Sequence, residues 1–130
     1  MIEQITQIRV ELDSLYTLCW LIENSTQKAN ALKHLANGRS FLGTALQFIG
    51  SDSQIPIPIN KANNSEETIK SFKLLPTLQQ AKFLREALQT IIDKIKAFNS
   101  DIMYVKWSLQ QLHLAKYELG YLINFIHVHE

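Results

Sequence analysis

The sequence predicts an all-α protein of two tandem helical hairpins, closed as a four-helix bundle or open as a pair of hairpins that oligomerises. Three observations carry this reading. Hydrophobic residues make up 46% of the 130, with only four glycines and three prolines, a composition suited to long regular elements. Apolar residues recur at steps of three and four along four segments. The second pair of segments repeats the first at a shift of 76 to 77 residues.

The first helix is marked by Ile5, Ile8, Leu12, Leu15, Cys19 and Ile22, one apolar stripe without interruption. Beyond the "NSTQK" break, where Ser25 or Asn24 can cap, the second stripe runs Leu32, Leu35, Arg39, Leu42, Leu46 and Ile49. Arg39 is its single violation. A third stripe follows Pro76-Thr77, with Thr77 and Gln80 at capping-box spacing, and reads Ala81, Leu84, Leu88, Ile91, Ile95 and Phe98. The fourth opens after Ser100-Asp101 and reads Ile102, Val105, Leu109, Leu112, Lys116, Leu119, Ile123 and Ile126. Laying Leu42-Gly43 on Leu119-Gly120 puts Arg39 on Lys116, so both second helices carry a cation at one equivalent place.

The expected division is a first hairpin over 1–50, a linker over 51–75 and a second hairpin over 76–130, all within one compact domain. Pro56 and Pro58 forbid a helix in "SDSQIPIPINKANN", which should run extended. "SEETIKSFKLL" then offers a short helix opened by Asn64 or Ser65, with Glu66 and Glu67 at its positive end.

Thirteen basic against twelve acidic residues leave a net charge of +1, which supplies no field for long nucleic acid but leaves room for a small anionic ligand. Cys19 is the sole cysteine, so no internal disulfide forms and a reducing, cytoplasmic setting is expected. The amino terminus lacks the basic and apolar regions of an export signal, and no apolar run reaches the ~20 residues of a membrane span. The regions Leu15 to Ile22 and Leu119 to Ile126 are apolar almost all round, which points to burial on every side and hence to a homo-oligomer. Two lines of small residues, Ala31, Gly38, Ala45 and Ala36, Gly43, Gly50, call for close approach by another helix or a ligand.

No nucleophile elbow, phosphate loop, dinucleotide fingerprint or metal-binding pair occurs, so neither an enzyme nor a cofactor is expected. His127 and His129 are spaced wrongly for one helical face, and no metal site is assigned. The aromatic side chains of the fourth helix and Phe41 read first as packing, with stacking on a planar base as the alternative. Arg39 has three outlets: a carboxylate among Glu11, Asp13, Glu86 and Glu118, the solvent edge with its stem packed, or a phosphate.

The stretch His34-Leu35-Ala36-Asn37-Gly38, continuing to Leu42 and Ala45, resembles the second helix of the small phage anti-CBASS and anti-Thoeris proteins. It departs from that pattern at Lys33, where the family has threonine, and at Thr44, where it has arginine. The resemblance implies a helical hairpin that oligomerises and sequesters a cyclic nucleotide without cleaving it. On that reading Arg39, Lys116 and Lys33 would hold phosphate, His34 would line the site, and Tyr117, Tyr121 or Phe41 would stack on bases. The competing expectation is a helical protein-interaction module, an inhibitor or adaptor with an exposed apolar face and no small ligand.

Overall fold

A computed structural model describes residues 1–50 and 64–129. Within them the chain is all-helical: α1 (Ile2–Trp20), α2 (Thr26–Phe48), α3 (Glu66–Leu74), α4 (Thr77–Ala97) and α5 (Met103–His129). The segment expected to run extended around Pro56 and Pro58 lies outside the described residues. No described helix is long and apolar enough to cross a membrane.

The helix boundaries follow local chemistry. Ser25 is extended and accepts a hydrogen bond from the Lys28 backbone N–H at 3.0 Å, fixing the start of α2, and Ser65 does the same for Thr68 at the start of α3. The expected capping box at α4 does not form. Pro76 occupies the cap position, and the Gln80 side chain instead donates to the Phe72 carbonyl at 2.9 Å, tying α3 to α4. Ser100 accepts from the Ile102 N–H just ahead of α5. Past the ends of α2 and α4 the backbone turns left-handed at Gly50 (φ 88°) and Asn99 (φ 47°), residue types suited to that region. Lys28 is buried, and its ammonium donates to the Trp20 and Ile22 carbonyls and to Asn24, satisfying the carboxyl end of α1.

The four long helices meet in a ring: α1 packs on α2 and α4, and α5 packs on α2 and α4. All six residues of the first predicted stripe are buried. The inner row of α5 is displaced from prediction. Its buried residues are Val105, Ser108, Leu112, Ala115, Leu119, Leu122 and Ile123, so Ala115 rather than Lys116 stands on the core line.

The α2–α5 contact is the most extensive of the ring, and its partners show that the two helices run antiparallel: Gly38 meets Ser108, His34 meets Gln111, and Asn30 meets Glu118. Gly38 is what brings them together. A Cβ there would stand 2.6 Å from Leu112 Cδ2, and the vacant space lets Ser108 Oγ donate to the Gly38 carbonyl at 2.8 Å. Ala31, Ala45 and Ala115 are fully buried beside it. Gly43 serves a different purpose, since the Arg9 guanidinium occupies the space a Cβ would need, with Nη2 at 3.1 Å. Arg85 lies in the same relation to Gly120 at 3.8 Å, and each member of that pair follows its counterpart by 76 or 77 residues.

Three outcomes test these packing and capping contacts. Gly38→Val should lower stability by about 2 kcal/mol through overpacking against Leu112, read by chemical denaturation. Lys28→Met should destabilise by about 2 kcal/mol by orphaning the carbonyls that end α1, while Asn99→Gly should stabilise slightly.

Candidate functional site

Arg39 faces Asp13 of α1. Its Nε lies 2.5 Å from Oδ1 of Asp13, a residue only 1% exposed, and the side chain of Arg39 is itself 15% exposed. Arg9 completes the group from one turn earlier on α1. Burial pushes the Asp13 carboxyl above its ordinary value, and the positive charges of Arg39 and then Arg9 offset part of that rise. Arg9 is pulled the other way, downward, by burial first and by the neighbouring charge of Arg39 second. Of the outlets open to Arg39, the structure contains the internal pair with Asp13.

Among the described residues no carboxylate pairs with Lys116, which lies half-buried on α5. With Lys96, it adds to burial in holding the His113 imidazole below its ordinary value. Arg39 and Lys116 do not converge. Gly38, beside Arg39, meets α5 at Ser108, and Lys116 is eight residues farther on, about 12 Å along the helix. Lys33 is exposed on α2. His34 bonds Gln111 through Nδ1 at 2.8 Å and so belongs to the α2–α5 contact. Phe41 packs on Trp107, ring centres 5.6 Å apart, while Tyr117 and Tyr121 are more than half exposed on α5.

A cleft of about 420 Å³ opens elsewhere, between the start of α1 and the end of α4. Its apolar floor of Ile8, Ala97 and Phe98 is rimmed by Glu3, Glu11 and Lys94, and Lys94 is already bonded to Glu11 at 2.8 Å. That charge balance does not suit an anion. Cys19 offers no nucleophile, because burial pushes its thiol up to about 12. Among the described residues no group of three or more His, Cys, Asp or Glu is arranged to hold a metal.

What the structure exposes is an apolar surface on α5. Trp107, Leu114, Tyr121 and Val128 recur every seven residues, and Met103, Gln110, Tyr117 and Asn124 form a second row with the same period. All eight are exposed. They have the a and d spacing of a helix-pairing seam, and they lie opposite the buried row of Leu112, Ala115 and Leu119. Six of the eight are apolar or aromatic and none is charged. At the amino-terminal end the seam broadens, because Trp107 and Tyr104 pack with Phe41 and Phe48 of α2. The aromatics of this surface stand out in the sequence, whereas Met103, Leu114 and Val128 lie off the predicted stripe through Leu112. The sevenfold recurrence was the signal available to find them.

The ion pair generates two predictions. Arg39→Leu should cost about 3 kcal/mol by stranding a buried carboxylate, and Asp13→Leu together with Arg39→Leu should restore most of that loss in a double-mutant cycle. The folded state holds the Asp13 proton more tightly than the unfolded chain does. This contribution to stability is therefore complete below the ordinary value of 3.8 and disappears as pH rises through the raised value. The stability of the wild type relative to Asp13→Asn should accordingly fall as pH is raised from about 4. No family profile, curated protein or solved structure matches this chain.

Proposed function

We propose that the chain is a non-catalytic, cytoplasmic protein-interaction module. In this reading the four long helices act as one four-helix bundle, a scaffold that presents the outer seam of α5 to a helical partner. The observation that carries it is the uncharged heptad row of Met103, Trp107, Leu114, Tyr117, Tyr121 and Val128, exposed along a helix whose opposite face is already buried in the core. A helix apolar on both faces leaves one face in water unless another surface covers it. The cost of that exposure is offset when a partner helix lies in the seam, the mode by which amphipathic helices are bound in apolar grooves.

Sequestration of a small cyclic nucleotide is the competing proposal. It would require Arg39 to leave Asp13, or Lys116 and Lys33 to hold phosphate without it, and the internal ion pair favours the protein-binding reading.

Calorimetric titration separates the two. Uncharged amphipathic helical peptides with an a and d apolar row should bind the wild-type protein, and Leu114→Glu should weaken them at least tenfold while leaving the protein folded, because Leu114 lies outside the buried core. Cyclic di- and trinucleotides should give no heat. Nucleotide binding that is abolished by Lys116→Ala, with no peptide binding, would replace this reading with the competing one.

A further inference from the structure

An uncharged seam selects an uncharged partner, because an ionised side chain pressed against it loses water without gaining a counter-charge. Among the described residues, the outward faces of the other long helices do not meet this requirement. α4 presents Arg85, Glu86, Asp93 and Lys96, α2 presents Lys33 among Thr26, Ser40 and Gln47, and α1 presents Glu3 among Gln4, Thr6 and Gln7. The seam of α5 does meet it: its eight positions are uncharged, with the exposed Lys106 beside Trp107 at its edge, and the row is complementary to itself.

We propose that the partner is a second copy of this chain, whose α5 lies antiparallel in the seam; the inference rests on the protein-binding reading above. The seam fixes the register. When the two helices cross midway between residues 115 and 116, all eight seam positions find a counterpart and none overhangs. Met103 then faces the partner's Val128, Trp107 faces the partner's Asn124, Gln110 faces the partner's Tyr121, and Leu114 faces the partner's Tyr117.

This register matches both size and polarity. The bulkiest side chain, Trp107, meets a small amide able to accept its indole N–H, and the Gln110 amide meets a phenol hydroxyl, so the two polar seam residues are satisfied inside the interface. A parallel pairing would stack Trp107 on its own equivalent and each tyrosine on itself, which wastes volume at some layers and overfills others. Antiparallel helix dipoles favour the same choice. The arrangement is isologous, each copy giving and receiving the same contacts, as a closed two-fold dimer requires.

Light scattering on the full chain, with single-cysteine cross-linking, tests the proposal. The wild type should be a dimer at micromolar concentration, and both Leu114→Glu and Tyr121→Glu should yield folded monomers. Met103→Cys and Val128→Cys should each fail to cross-link alone under mild oxidation yet form a disulfide-linked pair when mixed, because the two ends of the seam stand about 38 Å apart along one helix. Cys19 is buried and does not take part. Cross-linking of either variant with itself would overturn the antiparallel register. A wild type that stays monomeric at ~100 µM yet binds the helical peptides would overturn the second-copy inference and leave the module reading standing. A monomer that binds no peptide would overturn both.

Discussion

The rest of the structure depends on how closely α2 and α5 approach. Gly38 removes the one side chain that would hold them apart, and Ser108 turns the contact into a hydrogen bond with the Gly38 carbonyl. Close packing at this line puts Ala31, Ala45 and Ala115 in the interior and sends the larger residues of both helices toward α1 and α4, where they fill the core. The buried positions of α5, shifted back by 77, all coincide with buried positions of α2. The same contact also turns α5 about its axis, so that its row through Leu112 faces inward and its row through Leu114 faces solvent.

Polar groups are handled locally within this frame. Lys28 closes α1 by binding its terminal carbonyls, and Gln80 joins α3 to α4 in a comparable way. The Asp13–Arg39 pair is different. It places a carboxylate almost wholly out of water beside two guanidinium groups, an arrangement that contributes little net stability but is destructive if one member is lost. It joins α1 to α2 through side chains that only the packing of the two helices brings together.

The equivalent place in the second hairpin shows how this came about. Asp13 corresponds to Gln89 and Arg39 to Lys116, so the first hairpin holds an ion pair where the second holds an amide and a half-buried lysine. The Gln89 side chain reaches instead to Asp93 at 2.8 Å. Equivalent backbone positions thus carry unlike chemistry, and among the described residues Arg39, not Lys116, is paired with a carboxylate of the neighbouring helix.

Periodicity alone determined the class, the number of long helices and most of the core, because a stripe at 3.6-residue spacing forces its own burial in any compact all-helical chain. The six residues from Ile5 to Ile22 needed no tertiary information, and Ser25 was legible as a cap because its hydrogen bond is local. What required the fold was every choice between two faces or two partners. The sequence allowed Arg39 a carboxylate, the solvent edge or a ligand, and packing of α1 on α2 placed Asp13 against it. It offered α5 two apolar rows, and the space vacated at Gly38 decided which one turned inward. Such choices depend on distances between residues far apart in the chain, and spacing along one helix does not encode them.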